Sequence, residues 1–167
     1  PARRSSDLPL SEGRALVLTT SYRALDELAD RAAPRIPFPV LNPGDAQRER
    51  LLERFRETPN SILVGSQSFW EGVDVKGEAL SLVVIDKLPF NPPDDPVLAA
   101  RIEQINRAGG NAFTEYQVPR AVIALKQGAG RLTPDETDRG VLMICDTRLV
   151  DRPHGRRIWQ SLPPMRR

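Results

Sequence analysis

The chain has 167 residues, which is close to the length of one domain and enough to bury a core. With 28% charged residues and a formal net charge of only +2, its composition is that of an ordinary globular protein and does not by itself indicate a polyanionic partner. The single cysteine, Cys145, excludes an internal disulfide and any all-cysteine metal or iron–sulfur site within the chain, and the lone His154 has no nearby cysteine or second histidine. No apolar run reaches the roughly 18–20 residues of a membrane span, so we expect a cytoplasmic protein, or a piece of one, with no membrane partner.

The first part of the chain alternates apolar runs with helical patterns. "RALVLTT" (14–20) predicts a buried strand, and Ser21 is placed to cap a helix over "YRALDELADRAA". "PFPVLN" predicts a short second strand that its prolines weaken. Asp45 is then the expected cap of an amphipathic helix over "AQRERLLERFRET", which leads into a third strand, "SILVGS" (61–66).

The second part continues the alternation. "LSLVVID" (80–86) is the most apolar predicted strand, and a proline-rich segment separates it from a helix through "LAARIEQIN" that stops at Gly109-Gly110. The next helix is expected to begin with Pro119, because proline is favoured at the first helical position. "RGVLMICD" (139–146) predicts the fifth strand, and one short helix is expected in the tail before its prolines.

Strands that alternate with helices predict βαβ units, and therefore an α/β fold with a mostly parallel sheet covered on both faces. Ligands of such sheets gather at the carboxyl ends of the strands. The stretch "SQSFWEGVDVKGEAL" (66–80) lies at such an end, after the third strand. Gly72 allows a tight turn or close approach to a ligand, while Glu71 and Asp74 can accept hydrogen bonds from a nucleotide or from arginines.

A second informative stretch is "LKQGAGRLTPDETDRG" (125–140), where glycines, a glutamine and an arginine follow a helix. Its spacing does not match a phosphate-binding G-x-x-x-x-G-K-[ST] loop, and no such loop occurs elsewhere in the sequence. No predicted strand ends in a paired Asp-Glu that could hold magnesium. The chain therefore lacks the parts that hold a triphosphate by itself, but it has an arginine that could reach one held elsewhere.

Three stretches in order resemble motifs IV, V and VI of the DinG/YoaA branch of the XPD-like superfamily 2 DNA helicases: "ALVLTTSY", "SFWEGVDVKGEALSLVVIDKLPF" and "LKQGAGRL". The resemblance extends from about Gly13 to Pro164. It implies a RecA-like three-layer αβα motor domain over 14–167, after a flexible segment 1–13, as the second of two motor domains. ATP and Mg²⁺ would be shared with the first motor domain, and an iron–sulfur cluster would belong to an N-terminal part outside this chain.

The resemblance also implies roles for individual residues near the nucleotide. Gln127 and Arg131 would face it, with Arg131 as the arginine finger that stabilises charge on the transferred phosphoryl group. The alternative for Arg131 is a surface arginine that caps a helix end. Phe69-Trp70 is expected to pack the motif V loop onto the domain rather than to stack on bases. The remaining residues expected to approach the nucleotide are Glu71, Gly72, Asp74 and Gly130, with Asp74 as a mere turn residue kept open.

Single-stranded DNA is the implied partner, across the ends of the first and third strands. Hydroxyl groups there could donate hydrogen bonds to phosphates without reading the base sequence. For Ser21 the alternative is helix capping alone. A replicative polymerase accessory subunit is a further partner implied by the resemblance, and Trp159, flanked by arginines, could either contact it or pack the terminal helix. The residues expected to contact DNA are Thr20, Ser21, Tyr22, Ser66 and Ser68.

One departure from the family pattern bears on activity. Members usually read "GRLIR" where this chain has "GRLTP", so Pro134 stands where a second motif VI arginine would fall, and Arg139 lies just downstream. We expect the second motor domain of an ATP-dependent 5′–3′ DNA helicase that acts in repair or replication, inactive as an isolated fragment. The alternative is a module that binds DNA or a protein partner without hydrolysing ATP.

Overall fold

The computed structural model describes residues 13–70, 80–91, 95–132 and 140–165. By their contacts these residues fall into two compact units: those within Pro1–Lys87 and Gln127–Cys145 form the first, and those within Leu88–Lys126 and Asp146–Arg167 form the second. The predicted flexible segment 1–13 lies almost wholly outside the described residues. The first unit holds the sheet and most of the residues singled out above.

The first unit is built on a five-stranded sheet in the order β2-β3-β1-β4-β5, and all four strand pairings are parallel. Ala15 pairs with Ile62 on one side and with Leu82 on the other, so β1 lies at the centre. All five predicted strands are present, and the predicted α/β fold with a parallel sheet is confirmed. The strands are β1 (Ala15–Leu18), β2 (Val40–Leu41), β3 (Ile62–Gly65), β4 (Leu82–Ile85) and β5 (Val141–Ile144).

The central strands are buried on both faces, which explains their unbroken apolar sequences. All four residues of β1 and all four of β3 are buried. One face forms a cluster of Ala15, Val17, Ile62, Val64 and Leu82 with Leu25 from the first helix. The chain moves along the sheet in opposite directions through the first two helices, and since crossovers between parallel strands are right-handed, we expect these helices on opposite faces.

The first unit includes the helices α1 (Tyr22–Ala32) and α2 (Arg48–Glu57). The Ser21 hydroxyl oxygen accepts a hydrogen bond from the backbone N–H of Ala24 at 3.2 Å, so the predicted cap is confirmed. The predicted Asp45 cap is wrong. Its carboxylate instead accepts from the N–H of Asn42 at 3.0 Å and closes the preceding turn, and α2 begins at Arg48, two residues later than that cap would place it.

The second unit contains α3 (Pro96–Arg107), most of α4 (Val118–Ala129), and the short α5 (Arg148–Asp151) and α6 (Pro153–Ser161). The expected stop of α3 is confirmed, since Gly109 has a positive φ of 83°. Pro119 does not begin its helix, because a π-helical turn over Phe113–Gln117 precedes it. In a regular α-helix, a proline lacks the N–H of its hydrogen bond and crowds the carbonyl four residues earlier. The wider π-helical turn accommodates it.

Candidate functional site

The turn after β3 holds two buried aromatic side chains. Phe69 is 1% and Trp70 is 3% exposed, and the turn closes with a hydrogen bond from the N–H of Phe69 to the carbonyl of Ser66 at 2.9 Å. The indole N–H of Trp70 donates to the carbonyl of Thr19 at 3.3 Å. The expected packing role of this pair is confirmed, since neither ring is open to a base.

Thr19, directly after β1, joins the ends of the two neighbouring strands. It is fully buried, and its N–H and hydroxyl both donate to the carbonyl of Gly65, at 2.8 and 3.2 Å. Together with the Trp70 contact, these bonds fix the segment after β1 to the turn after β3. Sequence reasoning did not single out Thr19, although a threonine directly after an apolar strand is a recognisable signal for such a role.

Arg131 follows α4 and its side chain extends to the turn after β3. The guanidinium Nη2 donates to the carbonyl of Trp70 at 2.5 Å. Burial lowers the pKa of Arg131, and the positive charge of Arg48 lowers it further. This bond links two stretches that lie 61 residues apart in sequence, so Arg131 does more than cap its own helix.

Arg48, the first residue of α2, contacts the same turn. Its Nε donates to the carbonyl of Ser68 at 3.1 Å, and its guanidinium carbon lies 5.8 Å from the centre of the Phe69 ring. A carboxylate oxygen of Glu49 lies 3.7 Å from Nη1, but that side chain is 73% exposed and the ion pair is correspondingly weak. No local sequence pattern indicates Arg48, because its position depends on how α2 packs beside β3.

The end of α4 approaches the sheet closely at Gly128. A Cβ atom there would lie 3.3 Å from Cδ1 of Leu18 and 3.4 Å from Cζ3 of Trp70, so a side chain at this position would require these neighbours to shift by a few tenths of an ångström. On either side of this contact, Gln127 and Gly130 are exposed. The structure thus brings Gln127, Gly130 and Arg131 to one helix end beside the aromatic turn. Five further residues lie outside the described ones: Glu71, Gly72, Asp74, Pro134 and Arg139.

The residues expected to contact DNA follow β1 and β3, two adjacent parallel strands, and so share one edge of the sheet. Tyr22 is 72% exposed, Ser21 and Ser68 are also exposed, and Thr20 is half-buried. Ser66 is only 4% exposed and is the least accessible of the five. The Ser21 hydroxyl accepts the hydrogen bond from Ala24 through its oxygen, so its own proton is left to donate to an anion.

The described residues contain no group of three or more His, Cys, Asp or Glu side chains that could hold a metal ion. They therefore offer cations for phosphate groups but no carboxylate cluster that fits Mg²⁺. Among the same residues, no helix has both the length and the apolar character required to cross a membrane.

Comparison with known proteins places this arrangement in context. Residues 7–165 match the family described as Helicase C-terminal domain. The chain is 51% identical over 154 residues to the ATP-dependent DNA helicase YoaA of Escherichia coli (strain K12), and the match covers 92% of this chain and 24% of that protein. It is 41% identical over 152 residues to the ATP-dependent helicase DinG of Mycobacterium tuberculosis (strain H37Ra), with 91% and 23% covered.

A solved structure described as an XPD helicase superposes with a TM-score of 0.66 at 23% identity, and the match covers 98% of this chain and 31% of that one. This likeness supports the fold. The chain spans about a quarter of the length of the curated relatives, 24% and 23% in the two cases above.

Proposed function

Because the chain belongs to the helicase C-terminal domain family, we propose that it is the second motor domain of an ATP-dependent 5′–3′ DNA helicase that acts in repair or replication. Its stretches "ALVLTTSY", "SFWEGVDVKGEAL" and "LKQGAGRL" would serve as motifs IV, V and VI. Hydrolysis would take place in a cleft against a first motor domain that holds ATP and Mg²⁺. That division of labour agrees with the lack of a phosphate-binding loop in this sequence.

The observation that carries the proposal is the position of Arg131. Its guanidinium is half-buried and bound to the carbonyl of Trp70, in the turn that leads into motif V. A partly desolvated arginine remains protonated and interacts more strongly with phosphate than one in bulk water. In the closed cleft Arg131 would bind the γ-phosphate and stabilise the charge that develops as the terminal bond breaks. Gln127, Gly130, Glu71, Gly72 and Asp74 would line the same nucleotide.

The same turn would couple nucleotide binding to DNA binding. Trp70 binds Arg131 through its carbonyl and Thr19 through its indole N–H. Movement of Arg131 toward a phosphate would therefore alter a turn that is bonded to the segment after β1. Thr20, Ser21, Tyr22 and Ser68 would bind the phosphates of single-stranded DNA beside that segment, whereas the buried Ser66 would support the turn from below. The turn would alternate between a state in which Arg131 binds Trp70 and a state in which Arg131 binds the phosphate. This change would alter how tightly the DNA strand is bound.

The remaining parts of the proposal concern a cofactor and a protein partner. An iron–sulfur cluster would be held by an N-terminal part of the intact protein, since this chain has one cysteine. A replicative polymerase accessory subunit is a proposed partner. Trp159 on α6 is 38% exposed and would be one contact point for it.

The test is the single-stranded-DNA-stimulated ATPase activity of the intact protein that contains this chain. We expect Arg131→Ala to lower kcat by about 10³-fold, with a much smaller change in KM for ATP, because the contact forms mainly in the transition state. Arg131→Lys keeps the charge without the planar fork and should be nearly as slow. Arg50→Ala, at an exposed position of α2, is the matched control. Full turnover by Arg131→Ala would overturn the proposed motor role.

A second candidate is a module that binds DNA or a partner without turnover, and Pro134 favours it because an arginine is expected there. In that case the intact protein would bind single-stranded DNA, yet release no phosphate from ATP either with or without the strand.

A further inference from the structure

Two exposed arginines of the second unit lie against the same tyrosine ring. The guanidinium carbon of Arg101, on α3, is 5.8 Å from the centre of the Tyr116 ring, and that of Arg120, on α4, is 5.4 Å from it. Arg120 also donates from Nη1 to the Tyr116 hydroxyl oxygen at 3.3 Å. Tyr116 lies in the π-helical turn Phe113–Gln117, so its contact with Arg101 joins that turn to α3. One aromatic side chain thus holds two positive charges at the surface.

Neither of these arginines has a carboxylate partner among the described residues. No acid lies three or four residues from either of them, which is the spacing that pairs charges along a helix. Arg107, also on α3, shows the contrast, because it pairs with Glu103 at 2.6 Å. The acid next to Tyr116 in sequence, Glu115, accepts from the N–H of Asn111 at 2.8 Å. The positive charge beside Tyr116 is therefore available to an external anion.

Each arginine also has an exposed aliphatic side chain one helical turn away. Val97 precedes Arg101 by four residues and is 76% exposed, and Ile123 follows Arg120 by three residues and is 57% exposed. Residues at these spacings share one face of an α-helix. The five side chains, all within the second unit, are called the Tyr116 patch: Val97, Arg101, Tyr116, Arg120 and Ile123.

We propose that the Tyr116 patch is a docking surface for a protein segment that presents carboxylates beside apolar side chains. The carboxylates would pair with the two guanidinium groups, whose planar forks match their geometry. Apolar side chains of the partner would cover Val97 and Ile123, which water otherwise surrounds. Tyrosine and arginine are enriched at the contacts that carry most binding energy. Because Tyr116 orients both arginines before the partner arrives, less side-chain freedom is lost on binding.

Two other occupants match this surface less well. The phosphates of DNA would pair with the arginines, but they would leave Val97 and Ile123 in water. A second copy of the chain would place arginines against arginines across a two-fold axis, because the patch contains no acid. An acidic segment with apolar side chains satisfies both the charge and the aliphatic groups.

The experiment uses the intact protein and a display library of short random peptides. The library is first depleted on the double variant Arg101→Glu/Arg120→Glu and then selected on the unaltered protein. We expect the selected peptides to be enriched in Asp or Glu together with Leu, Ile or Phe. The most enriched peptide is labelled with fluorescein and titrated with each protein while fluorescence anisotropy is recorded.

Single variants then test the contribution of charge. Arg101→Glu and Arg120→Glu should each raise the Kd of the labelled peptide by about tenfold or more, because attraction becomes repulsion. Arg50→Glu makes the same change of charge at an exposed position of α2 and should change Kd by less than about twofold. The loss should therefore depend on position and not on net charge.

Tyr116 provides a test of the support beneath the arginines. Tyr116→Phe keeps the ring and should leave Kd within about twofold, whereas Tyr116→Leu removes it and should raise Kd about 3- to 10-fold. The Tm of each variant, followed by circular dichroism, should match that of the unaltered protein. A Kd that rose only in variants with a lowered Tm would show a structural role and overturn the inference.

Two further results would also overturn it. One is a selection that enriches no acidic and apolar peptides after depletion on the double variant. The other is a Kd for the labelled peptide that Arg101→Glu and Arg120→Glu leave unchanged, while both variants weaken binding of a single-stranded oligothymidylate. That second result would make the patch a DNA contact.

Discussion

At the scale of single residues, Asp146 has the clearest link between its contacts and stability. Its side chain is 6% exposed, pairs with Arg148 at 2.6 Å and accepts from the N–H of Leu88 at 2.8 Å. Burial alone would raise the pKa of this carboxyl group, but the hydrogen bonds from Arg148 and Leu88 outweigh it and lower the pKa to about 2. The ionised form is therefore favoured in the folded state.

From this we predict that Asp146→Asn lowers the free energy of unfolding of the chain by about 1–2 kcal/mol at pH 7, after allowance for the partial exposure of Arg148. A lowered pKa in the folded state contributes stability above the unfolded value, near 4, and loses it as pH falls toward 2. The difference between the two proteins should therefore shrink over that window. Urea denaturation at a series of pH values measures it.

Glu103→Gln provides the control for this prediction. Its partner Arg107 lies at 2.6 Å, but the two side chains are 62% and 77% exposed, so the variant should change the free energy of unfolding by about 0.5 kcal/mol or less. An Asp146→Asn effect that stayed constant from pH 7 to pH 2 would contradict the assigned cause.

At the scale of elements, the end of β3 requires glycine because of the turn that follows. A Cβ atom on Gly65 would lie 2.5 Å from Cβ and 2.7 Å from Cγ of Phe69, whose ring is fully enclosed. We predict that Gly65→Ala lowers the free energy of unfolding by about 2–3 kcal/mol, because the ring must move out of a packed site. Chemical denaturation of the chain, followed by tryptophan fluorescence and by circular dichroism, tests it.

Gly44→Ala is the matched control, because nothing lies within 4 Å of a Cβ atom at that position. It should change the free energy of unfolding by about 0.5 kcal/mol or less. Equal effects of the two substitutions would show that the contact with Phe69 is not what excludes a side chain at Gly65.

The elements also show which features local sequence determines. Strands buried on both faces are apolar throughout, so β1, β3 and β4 could be predicted from sequence alone. The start of α2 could not, because Asp45 had two competing roles and closes a turn rather than capping the helix. The start of α4 was missed because a π-helical turn changes the position that proline occupies.

The residues of the candidate site also differ in whether local sequence indicates them. Arg131 belongs to a recognisable local motif, whereas Arg48 and Thr19 become part of the site only through packing between distant segments. Arg48 lies 20 residues from Ser68, and Thr19 lies 46 residues from Gly65. Contacts of this kind follow from the strand order, which places β3 beside β1, and no spacing within the sequence reports them.

At the scale of the whole molecule, the candidate site has parts from three regions of the chain. Arg48 precedes β3, the aromatic turn follows it, and Arg131 lies at the end of α4. The three meet because parallel strands and their crossover helices return repeatedly to one edge of the sheet. The positive charge of such a site depends on the fold as a whole rather than on any one motif.

This interdependence leads to a prediction about Pro134. In the intact protein, Pro134→Arg should raise the kcat of ATP hydrolysis by about tenfold or more, because a second cation would then share the phosphoryl charge with Arg131. In the Arg131→Ala background the same substitution should have a different effect on kcat, since residues that stabilise the same charge are not additive. DNA-stimulated phosphate release by the four proteins of this cycle measures both effects. An unchanged kcat after Pro134→Arg in the unaltered protein would contradict a role of this position in the phosphoryl site.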